Sequence, residues 1–196
     1  MHPFIQQIIN LFESEGHHTY GEGINQTEHG VQCAELAIRD GESSELVVSA
    51  LLHDIGHLMA TTDIAFGNYK HDSIGAEYLA PHFPPEVTEP IRLHAEAKRY
   101  LCAVEKGYLE DLSPASLDSL HHQGGLMNEA EQQAFLQEPY AQDAIKLRRW
   151  DDEGKVEELS NKTVAHYRIT DPNQEYLCQL TAKHSKAKVL SFCHRP

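Results

Sequence analysis

Apolar residues recur along most of the chain at the three- and four-residue spacing of amphipathic helices, and few segments alternate with period two. The pattern predicts an all-α bundle without a sheet. His2–Ser14 carries Phe4, Ile5, Ile8, Ile9, Leu11 and Phe12 at helical spacing, and Gly16, Gly21 and Gly23 then mark a loop. A second helix spans roughly Thr27–Ile38, with Val31, Ala34, Leu36 and Ala37 apolar and Gly41 as its stop. Ser43 and Ser44 offer a cap for a third, whose Leu46, Val47, Ala50, Leu51 and Leu52 lead to His53. A loop at Thr61–Asn68 precedes a helix over Lys70–Ala80 that ends at Pro81. Pro90 sits near the first turn of a long helix, Ile91–Lys106, closed by Gly107. Ser113-Pro114 opens a short helix, Ala115–His122, which Gly124-Gly125 ends. Asn128 caps a helix to about Gln137, and Pro139–Trp150 forms another. These elements make one domain over residues 1–170; the polar tail 171–196 has little apolar pattern and is expected to attach loosely.

The charge changes what such a bundle can bind. Thirty acidic residues stand against 16 basic ones, a formal −14, which argues against nucleic acid and anionic membrane as partners because both need a basic face. A small anion can still be held by a local basic pocket. Cys33, Cys102, Cys178 and Cys193 are scattered without a CxxC pair, which argues against a cysteine zinc site. The chain opens on no apolar leader and has no apolar run approaching about 18 residues, so neither signal peptide nor membrane span is expected, and a cytoplasmic location is. The unusual feature is 14 histidines, the commonest metal-ligating side chain.

The strongest local signal is Leu51-Leu52-His53-Asp54-Ile55-Gly56-His57. An apolar helix delivers two adjacent polar groups that need partners if buried. A structural His–Asp hydrogen bond is the plain alternative; a metal satisfies both groups at once, and a carboxylate can bridge two ions. His29 lies on the preceding helix, followed at helical spacing by Cys33 and Ala37; His71 opens the fourth helix, His94 lies inside the fifth, and Asp151 follows Trp150 at the end of a late one. Each alone is more often an ordinary residue. Together, four histidines and two aspartates give an N/O donor set that suits iron or manganese. Six protein ligands exceed the needs of one ion with open positions, so two metals are implied, with Asp54 as the bridge.

His29, His53-Asp54, His71, His94 and Asp151 resemble the dinuclear form of the HD-domain superfamily. The chain more narrowly resembles its mixed-valent di-iron oxygenase branch, including the organophosphonate-cleaving members, from about Gly21 to Arg168. The likeness is carried by Gly21-Glu22-Gly23-Ile24-Asn25-Gln26, Leu52-His53-Asp54-Ile55-Gly56-His57, Ala97-Lys98-Arg99-Tyr100-Leu101, Gln123-Gly124-Gly125 and Arg149-Trp150-Asp151. It implies an Fe(II)/Fe(III) pair, O2 as co-substrate and a small phosphonate as partner. The implied reaction is oxidative cleavage of the C–P bond of 2-amino-1-hydroxyethylphosphonate or its trimethylammonio counterpart, to phosphate and glycine or glycine betaine. Oligomeric state is not legible.

His57 follows His53 by four residues, Lys98 follows His94 by four, and Arg148 precedes Asp151 by three, which places donors beside three candidate ligands. Arg148 can grip a phosphonate bidentately and Lys98 as a point charge; a solvated helix face is the plain alternative. Ser116, Ser119 and Gln123 read as surface residues on sequence alone, and the resemblance implies that they complete the phosphonate cradle. It also implies that Glu22 faces the substrate nitrogen from a loop able to act as a lid. The resemblance also brings in a tyrosine of the primary-amine enzyme that caps the open iron position, three residues before this glutamate; here Thr19 stands there and Tyr20 is one position late, so either Tyr20 caps through a shifted loop or the cap is lacking. A smaller Thr19, with Tyr20 and Glu22 to receive a quaternary ammonium, favours the trimethylated substrate. Two rivals use the same residues: an HD phosphohydrolase activating water against a phosphate ester, and a non-catalytic HD ligand-binding module, which usually loses ligands that this chain retains.

Overall fold

The computed structural model describes residues 2–19, 23–59 and 70–157, and the backbone of 167–168 and 179–180. Its helices are α1 (Pro3–Glu15), α2 (Gln26–Arg39), α3 (Ser44–Leu52), α4 (Ile55–Leu58), α5 (His71–Leu79), α6 (Pro85–Val104), α7 (Pro114–His122), α8 (Glu129–Leu136) and α9 (Ala141–Glu153). Helix α6 is the central element: α3, α5 and α9 all pack on it, and α2 closes the bundle against α3 and α9. No described helix is long and apolar enough to cross a membrane.

Ser43, Ser113 and Asn128 start helices as the sequence predicts, and α2 has a further start signal that the apolar period does not show. Asn25 and Glu28 form a reciprocal capping box on α2, with Asn25 Oδ1 accepting from the Glu28 N–H at 2.9 Å. Ser43 caps α3 and Ser113 caps α7, each through its hydroxyl. On α1 the buried residues are Phe4, Ile5, Ile8, Ile9 and Phe12, while Leu11 is only partly buried. Ile8, Val31, Leu51, Leu52, Ile55, Leu79, Ile91 and Leu147 form the centre of the main core, and each such side chain contributes about 1.5–3 kcal/mol when fully buried. Small residues let α2 approach α3: a Cβ on Gly30 would lie 2.6 Å from the Leu51 carbonyl oxygen.

The boundaries differ in places from expectation. Helix α6 begins at Pro85, not Ile91, so Pro90 lies in its second turn. Proline there removes an N–H from the ladder and pushes against the carbonyl four residues back. Ser49 of α3 supplies a hydroxyl to that region, 2.7 Å from Val87 O and 3.5 Å from Glu86 O. Helix α9 continues to Glu153, so Asp151 sits inside its last turn rather than beyond it. The short α4 is too brief to show a period. An antiparallel pair, β1 (Tyr167–Arg168) with β2 (Gln179–Leu180), departs from the expected absence of a sheet; strands of two residues present no alternation to read. Tyr20, Glu22 and the Thr61–Asn68 loop lie outside the described residues.

Glycine decides where α4 meets α5. A Cβ on Gly56 would stand 2.1 Å from the carbonyl oxygen of His71, and one on Gly75 would stand 3.2 Å from the Gly56 nitrogen. Backbone touches backbone there, which brings His71 alongside Asp54. Gly56→Ala is therefore expected to cost about 1–3 kcal/mol by overpacking and to displace His71. Thermal denaturation and metal analysis on the same preparation check this; unchanged stability with full metal content contradicts it.

Candidate metal centre

The six candidate ligands meet at one place. Asp54 is the hub, delivered where α3 gives way to α4. Its Oδ1 lies 3.5 Å from His53 Nε2, 3.5 Å from His71 Nε2 and 3.8 Å from His94 Nε2, while Oδ2 lies 3.7 Å from His29 Nε2. Asp151 Oδ1 stands 3.2 Å from His29 Nε2 and 3.9 Å from His53 Nε2. Two groups result: His29, His53 and Asp151 on one side, His71 and His94 on the other, with Asp54 between them. All are buried except Asp54, which is partly open.

Main-chain carbonyls set the direction of three rings. A carbonyl can only accept, so the nitrogen facing it carries the hydrogen. His29 Nδ1 donates to Gly154 O at 2.8 Å, His53 Nδ1 to Ala50 O at 2.9 Å, and His94 Nδ1 to Ile91 O at 2.7 Å. With Nδ1 facing a carbonyl, each ring turns its Nε2 inward. His53 Nε2 is buried with no hydrogen-bond partner, a costly arrangement that a cation would relieve. His71 Nε2 and His94 Nε2 are 3.0 Å apart, about the separation of two nitrogens sharing one ion at bonds of about 2.0–2.1 Å. Burial works against charge throughout the cluster, yet Asp54 and Asp151 raise His53 to about 9. The imidazoles of His53, His57 and His71 in turn hold Asp54 well below the carboxylate range. A carboxylate-rich pocket that pulls protons onto a ligand nitrogen is one that metal ions compete for; these residues fit a metal site.

Two neighbours belong to the same cluster. Cys33 Sγ lies 3.8 Å from His29 Nδ1 and donates to Trp150 O at 3.3 Å; burial, Asp151 and Asp54 raise its pKa, and with His29 and His53 it forms a group that could hold an ion. His57 stacks on His71 with centroids 4.0 Å apart, and together with Asp54 the two could hold an ion. Burial and His71 lower His57 to about 3, which keeps it a neutral ring.

A cationic pocket adjoins the ligands. Lys98, only 2% exposed, donates to Ser119 Oγ at 2.5 Å, and Ser119 donates to Ser116 O at 3.0 Å. Burial, then the charge of Arg148, lowers Lys98 to about 7. Arg148 is buried between two carboxylates: Nη1 donates to Asp151 Oδ2 at 2.5 Å, and Nε and Nη2 both reach Asp152. Arg148 Nε also donates to Tyr108 OH at 3.1 Å and Nη2 to Ser116 Oγ at 3.3 Å. Gln123 ends α7, its N–H on Ser119 O at 2.9 Å. Arg99 holds the turn that follows, donating to Gly125 O at 2.9 Å and to Glu131 at 2.6 Å; Gly124 and Gly125 both have positive φ there.

The HD domain signature matches residues 27–152, a stretch that contains all six convergent residues. The chain belongs to the HD-domain family. Within it, the chain is 42% identical over 168 residues to the hydroxymethylphosphonate dioxygenase of Gimesia maris, covering 83% of this chain and 84% of the relative. It is 37% identical over 169 residues to the [1-hydroxy-2-(trimethylamino)ethyl]phosphonate dioxygenase (glycine-betaine-forming) of Leisingera caerulea, covering 83% and 86%. An uncharacterized protein of Acanthamoeba polyphaga mimivirus is 34% identical over 171 residues, covering 84% and 78%.

Around the candidate metal centre of this HD domain stand residues that sequence reasoning passed over. Lys155 Nζ lies 3.8 Å from Asp151 Oδ1 and 3.3 Å from Ser116 Oγ. It follows Asp151 by four residues, the spacing that pointed to His57 and Lys98, so the signal was present. Of the two groups that hold Arg148, Asp152 follows it by four residues on α9 and carried the same signal, whereas Tyr108 arrives from the turn after α6 and carried none.

Proposed function

We propose that this chain binds two iron ions and uses O2 to cleave the C–P bond of a 1-hydroxyphosphonate. The observation that carries the reading is Asp54, whose two oxygens face four histidines in two groups, beside a buried cationic pocket. One ion would be held by His29, His53, Asp54 and Asp151, the other by Asp54, His71 and His94. Bound there, the iron pair supplies the redox capacity that side chains lack. Both curated relatives with named activities act, by those names, on a phosphonate with hydroxyl and phosphorus on one carbon. That shared unit defines the substrate class.

The chain's own residues bind and orient. Lys98, Arg148, Ser116, Ser119 and Gln123 receive the phosphonate, and its charge favours the ammonium form of Lys98 that burial opposes. His57, as a neutral ring, orients a substrate oxygen without adding charge. Tyr20 and Glu22 would serve substrates with an ammonium end; hydroxymethylphosphonate needs neither. The reaction consumes one O2 per C–P bond, giving phosphate with formate, glycine or glycine betaine according to the substituent. The buried thiols Cys33 and Cys102 suit a reducing compartment such as the cytoplasm.

The decisive experiment supplies iron-loaded protein with hydroxymethylphosphonate, 2-amino-1-hydroxyethylphosphonate and the trimethylated compound under air, following phosphate and O2 together. Equimolar O2 loss and phosphate release from at least one is expected. Release from none, with a phosphate ester hydrolysed anaerobically on manganese or magnesium, would establish the hydrolase instead. Lys98→Ala is expected to raise KM about 10–100-fold by removing one charge-assisted contact, with iron content intact. Iron lost in that variant would make Lys98 part of the metal site.

A further inference from the structure

We infer that Lys155 is a substrate-binding residue, a third cation of the phosphonate pocket, held there by a backbone strap across α2. The inference rests on the phosphonate reading above and adds a residue to it. Residues 154–156 leave the end of α9 and are gripped on both sides of Lys155. His29 Nδ1 donates to Gly154 O at 2.8 Å. Gln32, buried at 3%, donates through Nε2 to Val156 O at 2.7 Å and accepts the Val156 N–H on Oε1 at 3.0 Å. One side-chain amide thus satisfies both main-chain groups of one residue, as a neighbouring strand would. Gly154 has no room for a side chain: a Cβ would stand 2.7 Å from Cys33 Sγ and 2.9 Å from Trp150 O.

With its backbone fixed on both sides, Lys155 extends a side chain only 18% exposed to Ser116 Oγ, 3.3 Å from Nζ. Ser116 also receives Arg148, and Ser119, three residues later on α7, receives Lys98. Three cations therefore converge on one face of α7. Arg148 is matched by Asp151 and Asp152. Lys98 has no carboxylate within ion-pair distance among the described residues, and Lys155 stands 3.8 Å from Asp151 Oδ1, the oxygen that also faces His29 and His53. A dianionic phosphonate seated against this face of α7 would meet the ammonium groups of Lys98 and Lys155 together with Arg148.

The test titrates iron-loaded full-length protein with inorganic phosphate, which presents the same oxygens without needing turnover. Lys155→Met keeps the alkyl stem and removes the charge. Phosphate binding is expected to weaken about 10-fold or more, with iron content unchanged. Lys155→Arg should restore most of the affinity, and Gln32→Ala should weaken it in the same direction by a smaller factor, Gln32 being a positioning residue. With a turnover substrate, both Lys155→Met and Gln32→Ala should raise KM while leaving kcat within a few-fold. Unaltered phosphate affinity in Lys155→Met overturns the inference. So does iron lost in step with affinity, which would make Lys155 a partner of Asp151 alone. Should Lys155 govern phosphate binding in a protein that releases none from any hydroxyphosphonate, the inference holds and the oxygenase reading falls.

Discussion

Asp54→Ala is expected to empty at least one of the two proposed metal positions and to cut phosphate release by at least about 100-fold. Outer partners of metal ligands alone commonly carry about 10–100-fold in affinity or activity, and a carboxylate shared by two ions should exceed that. The geometry is specific about why. Asp54 Oδ1 faces His53, His71 and His94, and Oδ2 faces His29, so one substitution removes the contact common to both histidine groups. Four imidazoles then share only Asp151, which faces two of them. Asp54→Asn is the sharper comparison, because it keeps the shape and deletes the charge. Metal analysis of purified protein decides; both ions fully retained in Asp54→Ala would refute the bridging role.

Arg148→Met is expected to destabilise the protein by about 3–5 kcal/mol, the usual cost of removing one member of a buried ion pair. Arg148 is 3% exposed and sits between Asp151 and Asp152, with Tyr108 and Ser116 as further partners. Burial disfavours its charge, but Asp151 and Asp152 outweigh that and hold its pKa above the ordinary arginine range. Methionine leaves both carboxylates without their cation and adds nothing in return. For a chain of this length the loss corresponds to roughly 6–20 °C in Tm. Adding Asp152→Asn should recover part of it, since one stranded charge is removed. A loss below about 1 kcal/mol would mean that water screens the network as it does on a surface.

Most of the candidate site was legible because each ligand sits on or beside a helix that the apolar period places. His53 and Asp54 follow a run of buried apolar residues, and His29 shares a helix face with Cys33 and Ala37. The sequence misled where a local rule yielded to tertiary contact. Pro90 signals a helix start, yet α6 carries it in the interior beside the Ser49 hydroxyl from α3. Asp152 stands four residues after Arg148 and was within reach of the spacing argument, but the contact with Tyr108 was not legible, because Tyr108 meets the pair only once the turn after α6 lies against α9. Lys155 lay within reach of the same spacing argument as Lys98, but the strap that aims it depends on Gln32, more than a hundred positions upstream.

Three of the inward-facing imidazoles take their orientation from peptide carbonyls, those of Ala50, Ile91 and Gly154. A carbonyl comes with every residue type, so exchanging Ala50 or Ile91 for another helix former of similar bulk leaves the acceptor in place. The aim of these rings is thereby insulated from divergence in a way that a carboxylate acceptor would not be. A lineage can rewrite much of its surface and part of its interior while the lone pairs keep their bearings. It loses the centre mainly by altering a donor itself or by crowding a glycine such as Gly154.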